Sequence, residues 1–331
     1  MSAVSKVRIV SKVRVVLAAV AGATLIVLLS QPHGVLAQTT YASTPCNRGC
    51  LDALMDAYLA ALIKHDPGAL PLTRHLRFTE DGVELKLGDG LWGTASGLGK
   101  FKQYFEEVPR GQVAFFGTIR ENGRPAILAA RLKIVRHAIS EIETVVVRFD
   151  NTDNDRGPQD LDSMGGPDPL YSQSLGTAER RSRTELVAVG NAYFDGLVRG
   201  TGRETPFGAQ CNRWNNGELT TNNHQSGSKI LAMSCAQQFD SGFLKFVTRI
   251  RRRFPLVDEE RGVVLAIGFF DHAGRMRTVK LSDGTTLPVP STHQEPKTLM
   301  LMEAFKIVDG KIRRIDAVEG FVTYGLRSIW D

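Results

Sequence analysis

Asp56-Ala-Tyr-Leu-Ala-Ala-Leu62 recurs in altered form as Asn191-Ala-Tyr-Phe-Asp-Gly-Leu197, 135 residues further along the chain. Both stretches carry a tyrosine at the same place, Tyr58 in the first and Tyr193 in the second. Two later stretches repeat in the same order, at offsets of 151 and 173 residues. A growing offset indicates two insertions in the second copy, and two copies are too few for a solenoid. The sequence therefore predicts two domains of ordinary size, the second a duplicate of the first.

The later repeats lie in strand-like segments. Arg110-Gly-Gln-Val113 corresponds to Arg261-Gly-Val-Val264, and Lys133-Ile-Val corresponds to Lys306-Ile-Val. Asn122-Gly123 is typical of a tight hairpin turn between two such strands. Apolar runs predict three strands in each copy: 111–120, 126–135 and 139–149 in the first, and 262–270, 298–308 and 312–322 in the second.

Helices precede these strands in both copies. Apolar residues at helical spacing between Leu51 and Ile63 predict a first helix, and Ser182 with Glu185 forms a capping box ahead of its counterpart. A short second helix is predicted over 97–108. Helices placed ahead of a meander of antiparallel strands indicate an α+β fold, with a curved sheet against the helices, rather than a parallel doubly wound sheet.

The N-terminal segment has the pattern of a secretory signal. Basic residues precede the apolar run 15–29, which is shorter than the roughly 20 residues of a membrane span, and a small-residue site ends at Ala37. We predict a signal peptide over 1–37; an uncleaved membrane anchor is the alternative. Either places the rest of the chain outside the cytoplasm, secreted or periplasmic.

The composition is that of a globular protein, with 42% hydrophobic and 23% charged residues among 331. Four of the six net positive charges lie at Lys6, Arg8, Lys12 and Arg14, so only +2 remains without the signal segment. That balance excludes a nucleic-acid partner, since binding to phosphate backbones needs a clustered positive field. We expect no membrane association after signal cleavage.

Residues rich in Asp, Gly, Pro and Ser separate the two copies. We therefore predict a first domain over 38–149, a linker over 150–181 and a second domain over 182–331. Four cysteines remain after the signal, an even number that suits disulfides in an oxidising compartment. Three pairings are possible, and we favour Cys46 with Cys50 and Cys211 with Cys235, because each pair lies within one half.

Three elements together resemble a known family. They are the helix with Asp56-Ala-Tyr58, the Leu91-Trp92-Gly93 element and the strand that follows Gly310-Lys311-Ile312. They resemble the nuclear transport factor two-like superfamily, specifically its SnoaL-like branch, over 46–148 and, with insertions, 182–325. The resemblance implies two tandem cone-shaped domains, each with a sheet curled around a pocket. Members include isomerases, lyases, hydrolases and non-catalytic proteins, so the fold transfers and the reaction does not. Members commonly dimerise through their sheets, so the two copies are expected to pair as a pseudo-dimer.

Candidate catalytic residues lie in the second copy. His272 follows Asp271 beside aromatic residues, where an imidazole suits a general base near neutral pH. We predict His272 as the base, Asp258 as its orienting partner and Tyr193 as a hydrogen-bond donor to developing negative charge. The alternative is that His272 is a polar residue entering the hairpin 271–274.

Candidate substrate-binding residues are aromatic or arginine side chains near the predicted pockets. Tyr58 and Trp92 are either core residues or pocket walls, and Phe270 adjoins His272. Arg249 belongs to a basic run that suits either a carboxylate clamp or a charged helix end. Arg131 alternates with apolar neighbours and lines either a groove or a solvent-facing sheet surface.

Other motifs are too weak to assign. The glycines of 88–93 fit G-x-G-x-x-G, but no helix and strand follow as a dinucleotide site requires. The acidic linker lacks the glycine and closing glutamate of a calcium loop. We therefore predict no cofactor and no metal.

Together these features predict an exported, cofactor-independent lyase or isomerase that acts on a small organic molecule by proton transfer. A non-catalytic ligand-binding or scaffold protein, with both pockets filled by side chains, is the first alternative. A hydrolase with an activated water is the second.

Overall fold

The computed structural model describes residues 46–149 and 157–330. The predicted signal peptide and its cleavage site, and residues 150–156 of the predicted linker, lie outside these ranges. In the part that is described, no helix is both long and apolar enough to cross a membrane.

The first half consists of one long helix and one six-stranded sheet. Asn47 caps this helix by accepting a hydrogen bond from the Cys50 amide. The strand order in the sheet is β2-β1-β6-β5-β4-β3. The elements are α1 (Arg48–Ile63), β1 (Leu72–Glu80), β2 (Val83–Glu84), β3 (Ala95–Glu107), β4 (Gln112–Glu121), β5 (Arg124–Val135) and β6 (Ala138–Arg148).

The second half repeats this arrangement with additional elements. A short helix, α2 (Gly157–Ser163), precedes it. The strand order is β8-β7-β14-β13-β10-β9, and β11 and β12 form a separate two-stranded sheet. The elements are α3 (Arg183–Arg199), β7 (Phe207–Asn215), β8 (Glu218–Leu219), α4 (Cys235–Ser241), β9 (Val247–Asp258), β10 (Val263–His272), β11 (Thr278–Lys280), β12 (Thr286–Pro288), β13 (Lys297–Val308) and β14 (Lys311–Thr323).

The predicted α+β class is confirmed, with two changes in detail. Both sheets are mixed, because β1 pairs in parallel with β6 and β7 pairs in parallel with β14. The helix predicted over 97–108 is wrong, since residues 97–107 belong to β3. Gly97 and Gly99 weaken a helix there, and Phe101, Gln103 and Phe105 are buried at the strand period of two.

The two sheets share one pairing register. Leu72 pairs with Ile139 in the first sheet as Phe207 pairs with Ile312 in the second. Gln112 likewise pairs with Lys133 as Val263 pairs with Lys306. These equivalences reproduce the sequence offsets of 135, 151 and 173. A residue in one half can therefore be compared directly with its counterpart in the other.

Each sheet is covered on both sides. α1 packs on one side of the first sheet and α3 on the corresponding side of the second. The opposite sides face each other through a third apolar core that includes Phe105, Phe116 and Met302. Burial on both sides explains why β4 and β10 are almost continuously apolar instead of alternating.

Ion pairs cross between the halves in a reciprocal way. Arg48, the first residue of α1, binds Asp258 at the end of β9 with distances of 2.6 and 3.0 Å. Arg183, the first residue of α3, binds Glu107 at the end of β3. Since Arg48 corresponds to Arg183 and Glu107 to Asp258, the two halves exchange equivalent contacts, as the subunits of a twofold dimer do.

Gly262 directly precedes β10 and has a left-handed backbone, φ +62°, and a Cβ there would collide with the Ile307 carbonyl oxygen. We expect Gly262→Ala to lower the free energy of unfolding by about 3 kcal/mol, from backbone strain plus overpacking. Gly123→Ala is the matched control, because Gly123 has φ +79° and a Cβ there would meet no atom within 4 Å. It should cost only about 1 kcal/mol. Urea unfolding of both variants measures the difference, and equal losses would contradict the collision.

Candidate functional site

A deeply buried carboxyl group interrupts the apolar interior of the second half. Glu303 lies on the side of β13 that faces α3, and its side chain is 3% exposed. Its two cross-strand neighbours are small: Ala266 on β10 and Ala317 on β14. The carboxyl therefore stands among small side chains, opposite the aromatic ring of Tyr193 on α3.

Hydrogen bonds join Glu303 to Tyr193 and Tyr193 to Arg213, and Glu319 interacts electrostatically with Glu303 and Arg213. We call these four residues the Glu303 cluster: Tyr193, Arg213, Glu303 and Glu319. The Tyr193 hydroxyl donates to Glu303 Oε1 at 3.0 Å and accepts from Arg213 Nη1 at 3.4 Å. Glu319 accepts from Asn215 Nδ2 at 3.0 Å. Glu303 Oε2 is buried and has no hydrogen-bond partner among the residues that the structure describes. One carboxyl oxygen is thus left for a further partner.

Burial raises the pKa of Glu303 to about 8; the nearby Glu319 also raises it, while Arg213 and the Tyr193 hydroxyl act in the opposite direction. Burial likewise raises the pKa of Glu319 above its ordinary value. Glu303 is therefore mainly a neutral carboxylic acid at pH 7, able to donate a proton. Carboxyl groups tuned in this way are typical of acid–base sites.

The insertion around α4 holds Arg213 in place. Its Nη2 donates to Gln238 of α4 at 2.9 Å, and its Nε donates to Thr220 at 3.1 Å. Gln238 in turn donates to the Ile230 carbonyl at 2.8 Å. The Cys211–Cys235 disulfide ties β7 to α4 beside these contacts. The guanidinium is thus fixed by partners other than the carboxylates, which leaves it able to stabilise negative charge.

An open groove of about 480 Å³ lies at the ends of β6 and β14, and we call it the mouth groove. Glu319 lines this groove and also belongs to the Glu303 cluster. Leu299 and Phe321 supply apolar surface, and His293 lies beside them. Glu319 pairs with Leu301 on β13. Glu303 lies two residues further along β13, so it is about 7 Å deeper than Leu301. Glu319 therefore connects the groove with the buried acid.

A larger groove of about 790 Å³ surrounds the cross-half ion pairs. Its buried acids, Glu107 and Asp258, are already paired with Arg183 and Arg48. The mouth groove is the better candidate, because its lining residue Glu319 interacts electrostatically with Glu303, whose Oε2 has no partner among the described residues.

The first half lacks this chemistry at the equivalent positions. Phe78, Ala130 and Val146 correspond there to Arg213, Glu303 and Glu319. Tyr58 corresponds to Tyr193, but its ring packs against Trp92 with 5.6 Å between centroids. These positions are therefore apolar in the first half, where the buried Glu80 has both carboxyl oxygens bonded, to the Leu91 amide and to Arg148. In the described ranges the polar cluster belongs to the second half alone.

The three predicted catalytic residues do not form one site. His272 and Asp258 lie at opposite ends of the β9–β10 hairpin, because His272 pairs with Val247 whereas Asp258 pairs with Val263. Asp258 therefore cannot orient His272, and it binds Arg48 instead. Tyr193 is bonded to Glu303, which pairs with Ala266 on β10. Ala266 is six residues from His272, so about 20 Å of strand separates His272 from the position of Tyr193.

His272 lies near the mouth groove rather than on an outer turn. It is 1% exposed, and its ring is 4.6 Å from that of His293, which lines the groove. Burial, with a smaller contribution from His293, lowers the pKa of His272 to about 4. A neutral imidazole of this kind is a weak base at pH 7.

Two predicted arginine sites are corrected by the structure. Arg249 binds Asp271 at 2.6 Å on the side that faces the first half, away from the predicted pocket, and its side chain is largely exposed. Arg131 is 1% exposed between the two sheets, where it binds Glu143 at 3.1 Å and Gln112 at 3.0 Å. Its guanidinium carbon lies 5.3 Å from the ring centroid of Trp330, and its Nη2 is buried with no hydrogen-bond partner among the described residues.

The remaining predictions concern aromatic residues and cysteines. Phe270 is buried in the second interior, where its ring is 5.9 Å from that of Phe194. Tyr58 and Trp92 are both about 1% exposed in the first core. The favoured disulfide pairing, Cys46 with Cys50 and Cys211 with Cys235, is confirmed.

Arg213, Glu303 and Glu319 are not predicted by the sequence analysis. The signal available for Glu303 is a lone acid in the apolar run 298–308, aligned at the 173-residue offset with Ala130. Arg213 and Glu319 carry no comparable signal, because only the fold brings β7 and the end of β14 together.

One group in the described ranges has metal-ligand proximity: Cys46, Cys50 and His137, whose ligand atoms lie within 4.8 Å of one another. Its two sulfur atoms are joined in a disulfide, and a disulfide sulfur is not the thiolate that binds a metal.

One family model and two solved structures are similar to parts of this chain. A family model described as a domain of unknown function, DUF8021, matches residues 179–319 and so includes the whole Glu303 cluster. An NTF2-like protein of unknown function from Cytophaga hutchinsonii aligns at 14% identity, over 29% of this chain and 88% of that one, with a TM-score of 0.25. AclR, a proposed hydroxylase from Streptomyces galilaeus, aligns at 15% identity, over 42% of this chain and 91% of that one, with a TM-score of 0.27. No curated protein sequence matches the chain.

Proposed function

We propose that the second half is a cofactor-independent acid–base site for a small organic molecule, with the Glu303 cluster as its chemical centre. One observation carries this proposal. A buried, neutral carboxylic acid, with one oxygen unpartnered among the described residues, lies beside a tyrosine hydroxyl and a guanidinium, and its equivalent position in the first half is an alanine.

The arrangement suits proton transfer next to a carbonyl group. A molecule held in the mouth groove would present an acidic C–H bond to Glu319, which accepts the proton as general base. Glu303 would donate its proton, or a hydrogen bond, to the carbonyl oxygen as negative charge develops there. Tyr193 and Arg213 stabilise the carboxylate that Glu303 becomes, and low dielectric strengthens each contact. Elimination and isomerisation both follow from this chemistry.

A second function, ligand binding without catalysis, is favoured by the depth of the cluster. Tyr193 is 2% and Glu303 is 3% exposed. In that case the carboxyl cluster would recognise polar atoms of a ligand that enters beyond Glu319.

We further propose that the chain is an exported tandem duplicate of the SnoaL-like branch, whose halves serve as each other's dimer partner. Two disulfides support export, since such bonds persist in oxidising compartments. The shared strand register, the facing sheets and the reciprocal ion pairs support the duplication and the pairing.

Deuterium exchange tests the proposed chemistry across many candidate substrates at once. The oxidised chain, residues 38–331, is incubated in D₂O with a panel of small carbonyl compounds, and mass spectrometry detects deuterium at carbon. For a compound that exchanges, we expect Glu319→Gln and Glu303→Gln each to lower the rate about 100-fold or more. Tyr193→Phe should lower the rate about tenfold, whereas the matched control Tyr58→Phe should leave it unchanged.

Thermal unfolding with the same compounds separates the two functions. A compound that stabilises the wild-type chain but not Glu303→Gln, without exchange, would support binding alone. Exchange that persists in both glutamate variants would contradict the acid–base site.

A further inference from the structure

The two disulfides differ in their surroundings. Cys211 and Cys235 are both 3% exposed and are 24 residues apart, and they join a strand to a helix. Cys46 and Cys50 are only four residues apart and half-buried, at the start of α1. Cys211–Cys235 has the position of a structural crosslink, whereas Cys46–Cys50 is open to reagents in solution.

An exposed imidazole adjoins the Cys46–Cys50 disulfide. His137 lies in the turn between β5 and β6, and one of its ring nitrogens is within 4.8 Å of both sulfur atoms. Positive φ angles at Arg136 and His137, +50° and +62°, form this turn and direct it back towards α1. A histidine side chain is the usual proton donor or acceptor near neutral pH. Nothing comparable adjoins the Cys211–Cys235 disulfide among the groups that the structure places at this proximity.

The position of Cys50 favours it as the leaving group of an exchange reaction. It is the third residue of α1, where its backbone amide is bonded to the Asn47 side chain. The positive end of the helix stabilises a thiolate formed in this turn. Thiol–disulfide exchange is fastest when the displaced sulfur is a stabilised thiolate and the disulfide is accessible.

We propose that Cys46–Cys50 is a redox-active site that exchanges with external thiols, with His137 as its proton-transfer group. An incoming thiolate attacks Cys46 Sγ, the sulfur–sulfur bond breaks, and Cys50 leaves as a thiolate that takes a proton from the His137 imidazolium. With a dithiol as reductant, its second sulfur then attacks the mixed disulfide and releases Cys46. The dithiol is oxidised to a disulfide while the protein gains two electrons and two protons.

Differential reduction of the folded, oxidised chain tests the proposal. Dithiothreitol is added at pH 7, samples are quenched with an alkylating reagent, and mass spectrometry follows each cysteine. We expect Cys46 and Cys50 to be alkylated at least about tenfold faster than Cys211 and Cys235, with no change in the circular dichroism spectrum. In Cys50→Ser incubated with oxidised glutathione instead of dithiothreitol, a glutathione adduct should accumulate on Cys46, with reduced glutathione released.

A histidine pair isolates the part played by His137. His137→Asn should slow reduction of the Cys46–Cys50 disulfide about fivefold and change the pH profile of its rate. His75→Asn, at an exposed position on β1, is the matched control and should change neither. Equal reduction rates for both disulfides, or equal effects of both histidine substitutions, would overturn the proposal.

Discussion

Arg48→Met is expected to lower the free energy of unfolding by about 3 kcal/mol, among the largest effects of any substitution outside the apolar cores. Arg48 makes a two-point contact with Asp258 and also binds Glu106 at 3.0 Å and Glu260 at 2.8 Å. Asp258 is 5% exposed, so loss of Arg48 leaves a buried carboxylate without its main counter-charge. The cost is large because that charge cannot be hydrated without opening the contact between the halves.

Urea unfolding at pH 7 measures this loss. Arg199→Met is the matched control, because Arg199 binds Glu204 where both side chains are largely exposed. Such a surface pair contributes about 0.5 kcal/mol or less. We expect Arg183→Met to fall between the two, since Glu107 keeps a second counter-charge, Arg110 at 3.3 Å. A loss for Arg48→Met no larger than that for Arg199→Met would show that the halves do not depend on this contact.

Glu303→Gln is expected to change how stability depends on pH. The folded-state pKa of Glu303 is raised from 4.5 to about 8, so the folded chain holds a proton that the unfolded chain has lost over this interval. Stability from this group is therefore complete below about pH 4.5 and is lost as the pH rises through 8. A neutral glutamine has no such loss, and between about pH 5 and 9 the variant should gain on the order of 4 kcal/mol relative to the wild-type chain.

Urea unfolding at several pH values between about 5 and 9 gives this relative gain directly. Asp52 also has a pKa raised to about 7, chiefly by burial and by the adjacent Glu106, so the wild-type curve alone does not isolate Glu303. Subtracting the free energy of unfolding of the wild-type chain from that of the variant at each pH cancels the Asp52 contribution. Glu295→Gln, at an exposed position, is the matched control. Its free energy of unfolding should differ from that of the wild-type chain by a constant amount across the pH range. A constant difference for Glu303→Gln as well would mean that Glu303 is ionised throughout.

Much of the fold follows from the internal repeat. The three offsets locate equivalent helices and strands because insertions fall between elements and leave the strand pairing unchanged. The apolar stripe of α1 and the capping box of α3 are local signals, and both helices lie where these signals predict. β3 resembles a helix in sequence because its interrupted register places apolar residues at irregular spacing.

The candidate site is much less accessible to sequence reasoning. His272 and Asp258 are 14 residues apart and look close along the sequence, but a hairpin between them sends them to opposite ends of a strand pair. Glu303, Arg213 and Glu319 come from three strands, and β7 lies beside β14 only through a parallel pairing over long sequence separation. Tyr193 is predicted as a site residue because its helix is repeated in the sequence. Its carboxyl partner, Glu303, is not predicted.

Carbon-13 NMR of the chain labelled at its glutamate carboxyl carbons most directly tests whether the second half holds a neutral acid. Spectra are recorded from about pH 5 to pH 9 for the wild-type chain and for Glu303→Gln, which assigns the resonance. We expect the Glu303 signal to shift with a midpoint near pH 8. A midpoint at about 4 to 5, where exposed glutamates titrate, would contradict the proposed acid and with it the chemistry of the site.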